Sequence, residues 1–386
     1  MLNFIADKHL CTGCTACKSI CPKKCITMES DLEGFLYPIK STLCVNCGLC
    51  ERVCPIQNPI QGSVNTIQLA FACKSKSYEI WKTSASGGAF TEICKCFGDS
   101  ETIVFGAAYD GLQVKHIGIK GVDNIQPLRK SKYVASDLKD TFCEAKNALL
   151  DMKKVIFCGT PCQIAGIRKY LGKDYDNLLL IDFVCHGVGS QKVWRKCVDM
   201  LSSNYKKEPV AYFFREKRDF FEERYLQKIV FRDGGSAIVK NDFYQSLFLN
   251  QICLRPSCGE FCIFRDQNRQ GDITLADYKN PDLDFPDQVD QRFNYTAVIF
   301  NTKKSLKLID SLNKSADLIP SSVGNVVRDN PLFLAQTKTF TLQRNHFFKS
   351  FQANEKKAIV KWTKKTTRKN CLIKKLVKKL FFRGKK

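Results

Sequence analysis

The chain has 386 residues, 44% of them hydrophobic, which is enough for two or three domains with globular cores. Its formal charge of +23 is concentrated at one end: residues 346–386 hold fifteen Lys or Arg against one acid, Glu355, while the other 345 residues carry 46 against 37. A nearly balanced body and a tail without an RNA-binding motif argue against nucleic acid as a partner, and no apolar run approaches the roughly 20 residues of a membrane span.

The start, Met1 to Lys8, has no basic segment ahead of an apolar one, so no secretory leader is expected. The 21 cysteines then belong to a reducing, cytoplasmic setting, where thiols bind metal or lie buried rather than forming disulfides. Two runs dominate the first 60 residues: Cys11-x2-Cys14-x2-Cys17-x3-Cys21-Pro22 and Cys44-x2-Cys47-x2-Cys50-x3-Cys54-Pro55. A tight loop with a thiolate at every third residue wraps three corners of a cubane 4Fe-4S cluster, and the fourth corner takes a ligand from elsewhere. Two-cluster ferredoxins exchange that fourth cysteine between runs. Cys11, Cys14, Cys17 and Cys54 are therefore expected on one cluster, and Cys44, Cys47, Cys50 and Cys21 on the other. Disulfides or structural zinc are the alternatives, but zinc sites use paired Cys-x2-Cys units and do not repeat this eight-cysteine pattern. Cys25, outside the pattern, reads as a small buried hydrophobe. The module spans residues 1–60 and runs into a polar, proline-bearing linker at 55–63.

From 65 to 345, short apolar runs rich in β-branched residues, at 102–109, 154–158, 177–184, 225–231 and 296–300, alternate with helical patterns. The expected architecture is α/β (α+β): a small dicluster ferredoxin-like domain, a larger mixed α/β domain, and a basic amphipathic C-terminal helix. Ser86-Gly87-Gly88 precedes a helix start, where glycines let a phosphate approach backbone N–H groups or simply cap the helix. Residues 154–163 read as strand, turn and helix, with Thr160 as N-cap and Pro161 at the first helical position. Cys162 then lies in the first turn, where the helix dipole favours its thiolate. Cys185, after the strand at 177–184, and the pair Cys258 and Cys262 are its candidate companions. The four either converge on a third 4Fe-4S cluster or remain two buried thiols and a separate pair.

The last segment, 346–386, places Leu372, Ile373, Leu376, Val377, Leu380 and Phe381 on one helical stripe, opposite Lys374, Lys375, Lys378, Lys379 and Arg383. Such a helix suits peripheral contact with an anionic membrane surface at its inner face, or serves as a solubilising or docked tail.

Behind the cysteine runs come, in order, Ser86-Gly87-Gly88, Ser131-Lys132-Tyr133, Gly159-Thr-Pro-Cys-Gln163, Cys185-His-Gly187, Cys258-x3-Cys262 and Gly271-Asp-Ile-Thr-Leu-Ala-Asp277. This series resembles the coenzyme F420 hydrogenase/dehydrogenase beta-subunit family from about residue 8 to 345. The resemblance implies an FAD-containing iron-sulfur protein that passes electrons between clusters and a flavin, and from the flavin to a second substrate. Relatives reduce a deazaflavin coenzyme or a chlorophyll derivative, and bacterial members of this type accompany polysaccharide biosynthesis genes. By carry-over, Ser86, Gly87, Gly88, Ser131, Lys132, Tyr133 and Thr160 are the implied FAD contacts, and Cys162, Cys185, Cys258 and Cys262 the implied ligands of a third cluster. The chain departs from the family pattern at Lys130, where a glycine is usual, at Ala276, where the second glycine of Gly-Asp-Ile-Thr-Leu-Gly-Asp is usual, and at Lys279 and Asn280, where a tryptophan is expected.

The expected function is an iron-sulfur oxidoreductase that takes electrons from a redox partner protein or reduced ferredoxin and delivers them to a small-molecule acceptor. The alternative is an electron-transfer subunit that feeds a partner enzyme and has no substrate site of its own. Lys132 beside the flavin would stabilise its reduced, anionic form. Asp272 and Asp277 would orient substrate or donate protons, or cap loops.

Overall fold

The structure is a computed structural model that describes residues 9–60, 67–217, 226–240, 242–259, 262–334 and 340–366. The amphipathic helix expected from Leu372 to Phe381 lies outside the described residues.

The two cysteine runs share one backbone design. Gly13 and Thr15 in the first and Asn46 and Gly48 in the second all have φ between 51° and 73°. These left-handed residues stand two and four places after the leading cysteine, and they curl each run into a tight loop that glycine and asparagine tolerate best. Short helices follow, Ala16–Ile20 and Leu49–Arg52. Between them β1 (Ile26–Ser30) pairs antiparallel with β2 (Leu36–Lys40). Asp31 holds their turn, its Oδ1 accepting from the backbone N–H groups of Glu33 and Phe35 at 3.0 Å each.

The body is built on an eight-stranded sheet of β3 (Leu69–Ser75), β4 (Ile103–Asp110), β5 (Gln113–Lys120), β6 (Val155–Cys158), β7 (Leu178–Phe183), β11 (Ile273–Tyr278), β12 (Tyr295–Phe300) and β13 (Ala316–Ser321), ordered β13-β3-β12-β11-β7-β6-β4-β5. The central four, β11, β7, β6 and β4, are parallel, and the flanking pairs are antiparallel. Continuous apolar runs suit that centre, because helices cover both faces. Helices Thr141–Leu150 and Pro161–Leu171 bury Phe105, Phe157 and Leu180 on one side, and Ala89–Phe97 and Ile309–Ser315 bury Val104, Ile156, Leu179 and Ile181 on the other. A second antiparallel sheet joins β8 (Pro209–Glu216), β9 (Leu226–Phe231) and β10 (Ser236–Ile238). The architecture is mixed α/β, and each of the five apolar runs read from the sequence contains a strand.

The cysteine module is welded to this body. Cys14, Ala16 and Val53 join the core under helix Pro161–Leu171, while Phe35 and Tyr37 enter the core around Trp194 and Phe348. Nor does the chain leave the body at 346. Helix Phe340–Ala353 and a further helix over 355–366 bury Phe347, Phe348, Phe351, Ile359 and Trp362 in that same core, with Lys356, Lys357, Lys361, Lys364 and Lys365 on the exposed side. The high charge of the segment conceals this apolar stripe. No helix among the described residues is long and apolar enough to cross a membrane.

Candidate functional site

Cys11, Cys14, Cys17 and Cys54 line one small cavity of about 30 Å³, walled by Met28, Pro38 and Ile56. Burial pushes the Cys14 thiol up to about 12, with Cys54 and Cys11 adding repulsion, and raises Cys17 and Cys54 for the same reasons. The second group gathers Cys21, Cys44 and Cys50 around Cys25. Cys50, raised first by burial, also feels Cys44 and Cys47, and Cys47 is exposed. Cys25 is buried, as the sequence suggested, with its sulfur 3.3 Å from that of Cys21. Each group thus draws its fourth thiol from the other run.

Such sets suit a cluster. A cubane takes one thiolate at each of four irons, so its ligands surround a volume rather than a point. Among the described residues no group of three or more His, Cys, Asp or Glu side chains could hold a single metal ion. Burial and mutual repulsion disfavour free thiolates here, and iron would reverse that balance.

A third set lies in the body. Cys162 opens helix Pro161–Leu171 after β6, Cys185 follows β7, and Cys258 and Cys262 come from the loop before β11. The four interact: burial first, then Cys185, Cys258 and Cys262, push Cys162 well above its ordinary value, and burial with Cys258 and Cys262 takes Cys185 up to about 12. The low thiolate expected of Cys162 at a helix N-terminus is therefore overturned, because desolvation and three neighbouring thiols outweigh the dipole. Thr160 Oγ1 lies 3.1 Å from Cys162 Sγ, and the Val188 N–H donates to Cys258 Sγ at 3.4 Å.

Separate from the thiols is a cavity of about 690 Å³, lined by Thr83, Tyr109, Arg129, Lys130, Ser131 and Lys132 among others. Its size falls within the roughly 300–1,000 Å³ of small-molecule sites. Arg129 Nη1 donates to Thr83 Oγ1 at 2.8 Å, but Arg129 Nε and Tyr109 Oη are buried with no hydrogen-bond partner. Orphaned polar groups in a cavity wall await a ligand. Lys132 Nζ donates to the carbonyls of Pro127 and Arg129 at 2.9 and 2.6 Å, and burial pulls it down to about 7, with Lys130 adding repulsion against the pull of Cys158. Lys130 itself has φ 64°, the left-handed conformation that explains a glycine preference at this place. It pairs with Glu216 and lies 4.6 Å from the Phe213 ring centroid.

Not every motif residue reaches this cavity. Tyr133 stacks on Phe248 at 4.6 Å, and its carbonyl accepts from Tyr244 Oη at 3.0 Å. Ser86 Oγ donates to the Tyr295 carbonyl and the Gly87 N–H to Thr296 Oγ1, both at 2.8 Å. A β-carbon on Gly87 would come within 2.1 Å of the Cys73 carbonyl oxygen, so Ser86-Gly87-Gly88 seats helix Ala89–Phe97 against β3 and β12. Thr160 begins helix Pro161–Leu171, its N–H donating to Gln163 Oε1 at 2.9 Å. Asp272 accepts from the Leu180 N–H at 2.8 Å and from Thr302 Oγ1 at 3.1 Å, and Asp277 takes both oxygens to Arg215 Nη2 at 3.0 Å. Both aspartates hold the sheet together. Sequence reasoning missed Arg129 and Tyr109, for which the one signal was Arg129's place just before Lys130-Ser131-Lys132-Tyr133.

Residues 152–323 match the family model for the C terminus of the coenzyme F420 hydrogenase/dehydrogenase beta subunit, and residues 10–58 match that of the 4Fe-4S dicluster domain. Comparison with curated proteins gives no match. Among solved structures, a chain of the F420-reducing NiFe hydrogenase complex from Methanosarcina barkeri is similar at 16% identity and a TM-score of 0.45, over 73% of this chain and 91% of that one. The chain is an iron-sulfur electron-transfer protein that belongs to the coenzyme F420 hydrogenase/dehydrogenase beta-subunit type, with a 4Fe-4S dicluster domain at its N-terminus.

Proposed function

We propose that the chain is an oxidoreductase in which electrons enter at the dicluster loops, pass a third cluster held by Cys162, Cys185, Cys258 and Cys262, and reach a flavin in the cavity beside Arg129 and Lys132. The observation that carries this reading is the pair of buried, unpartnered atoms Arg129 Nε and Tyr109 Oη in the wall of a ligand-sized cavity. A carrier complete in itself has no use for such a wall. Bound there, FAD would take single electrons and deliver a pair as hydride to a small-molecule acceptor. Arg129, Lys130 and Lys132 supply cationic donors for an anionic ligand, and Tyr109 a neutral one. Lys132, poised near neutral pH, gains its proton as anionic charge develops beside it. The family resemblance points to polysaccharide biosynthesis as the setting for that acceptor.

The electron-transfer subunit remains the second reading, and it too has an observation in its favour. Leu43 and Val45 are 71% and 60% exposed beside exposed Cys47, an apolar lip at the second cluster loop where a protein redox partner would dock. Anaerobic reconstitution followed by iron, sulfide and flavin analysis separates the two. About twelve irons with FAD supports the oxidoreductase, whereas about eight irons without flavin supports the carrier.

A further inference from the structure

Arg255 connects two thiol sets that are far apart in the chain. Its backbone belongs to the inner set: its N–H donates to the Val188 carbonyl at 2.9 Å, and its carbonyl accepts from the Cys258 N–H at 3.0 Å. Val188 in turn stands three residues after Cys185 and donates to Cys258 Sγ. The side chain leaves that turn and enters the dicluster module. There Nε donates to the Cys11 carbonyl at 2.7 Å, and Nη2 donates to the Leu36 carbonyl at 2.9 Å and approaches Cys11 Sγ at 3.8 Å. The guanidinium carbon stands 4.3 Å from the Tyr37 ring centroid. A β-carbon at position 13 would lie 2.8 Å from Nη1, so Gly13 leaves the room this side chain needs.

The residue is only 3% exposed, and among the described residues no carboxylate pairs with it. A buried guanidinium in that position is costly unless other negative groups compensate. Burial works to lower its pKa, yet Tyr37, Cys11, Cys258 and Cys162 more than offset this, and the net direction is upward. The groups that keep Arg255 charged are therefore drawn from both thiol sets.

We infer that Arg255 is a positioning residue shared by the outer set, Cys11, Cys14, Cys17 and Cys54, and the inner set, Cys162, Cys185, Cys258 and Cys262, fixing their spacing and making both easier to reduce. The inference rests on the proposed reading of these sets as cluster ligands. An electron supplied by a low-potential carrier protein adds one negative charge beside the guanidinium; no bond breaks and no proton moves. A fixed cation in a low-dielectric site favours that added charge, and hydrogen bonds to cluster sulfurs and local charge are among the levers that set such potentials. The set of Cys21, Cys44, Cys47 and Cys50 lacks this contact and serves as an internal reference.

The test is potentiometry followed by electron paramagnetic resonance on the full chain, reconstituted anaerobically, with iron counted in each sample. Arg255→Gln is expected to move the potentials of the outer and inner centres to more negative values and to leave the third centre in place. Arg255→Lys keeps the charge but loses the forked geometry, so its shift is in the same direction and smaller. Unmoved potentials at full iron content overturn the inference, as does an equal shift of all three centres, which marks general loosening. If Arg255→Gln does not retain iron, Arg255→Lys decides alone, and an unchanged pair of potentials sinks the idea. A wild-type protein with about eight irons and no inner signal instead overturns the reading of the inner set, and the shared role with it.

Discussion

A β-carbon built on Gly166 would lie 2.9 Å from the Cys14 Cβ and 3.0 Å from its sulfur. The middle of helix Pro161–Leu171 is thus where the first cysteine loop presses against the body, eight residues after the end of β6. Alanine is ordinarily the better helix residue by about 1 kcal/mol. Here the added methyl overpacks a buried contact, which costs about 1–3 kcal/mol. Gly166→Ala is expected to lower unfolding stability and to release iron from the first loop, read by denaturant unfolding of the reconstituted protein and iron per chain. A variant as stable and as iron-rich as the parent would show that the loop yields freely.

Lys132 carries a pH signature. Its folded pKa of about 7 lies below the roughly 10.4 of an unfolded lysine, burial being the main cause. Between those values the unfolded chain binds the extra proton, so the cost of burying the charge is full below about 7 and fades as pH rises toward 10.4. The stability of ligand-free wild type, minus that of Lys132→Met, should therefore rise with pH across this window. Anion affinity runs the opposite way, since the protonated amine attracts the ligand. FAD binding, measured by flavin fluorescence, should weaken above about pH 7 by no more than about tenfold per pH unit, and Lys132→Met should flatten that dependence.

What the sequence disclosed, and what it hid, follows from the range of each interaction. The cysteine runs are local patterns, and β6, β7 and β12 are dense β-branched or leucine runs, so both were readable from neighbours in the chain. β13, Ala316–Ser321, carries Pro320 and reads as a loop, yet an edge strand tolerates proline where it pairs on one side only. Helices through 366 were read as a charged tail because their lysines outnumber the buried stripe of Phe347, Phe348, Phe351, Ile359 and Trp362. Arg255 and Cys11 are 244 residues apart, and no spacing rule reaches that far. The Ser86-Gly87-Gly88 motif misled in another way: glycines beside a helix start serve close packing as readily as phosphate binding.

Asp182 and Arg269 form the most deeply buried ion pair of the body. Asp182 is 0% exposed and accepts from Arg269 Nη2 at 3.2 Å, Thr274 Oγ1 at 2.6 Å, and the N–H groups of Gln270 and Gly271 at 3.0 and 2.9 Å. This network ties β7 to the turn entering β11, which is the stretch that brings Cys185 beside Cys258 and Cys262. Removing one partner leaves the other charge buried and uncompensated, at a cost of about 3–5 kcal/mol. Arg269→Met should therefore reduce unfolding stability by that amount in urea experiments, far more than an exposed change such as Arg292→Met. Equal effects would mean that the buried carboxylate finds another partner.

Thr160 provides a finer probe of the inner thiols. Its N–H is already taken by Gln163 Oε1, and its hydroxyl lies 3.1 Å from Cys162 Sγ. Once Cys162 is a metal-bound thiolate the sulfur has no proton to give, so the hydroxyl is the donor. Thr160→Val keeps the branched shape and deletes that one hydrogen bond. Loss of a donor to a cluster sulfur makes the centre harder to reduce, so the inner potential should shift negative while iron content and the outer potentials stay as they were. Thr160→Ser, which restores the hydroxyl without the methyl, should recover the parent potential at a small cost in stability. A Thr160→Val protein with parental inner potential would show that the hydroxyl does not reach the ligating sulfur, and one that loses about four irons would assign Thr160 to shaping the turn instead.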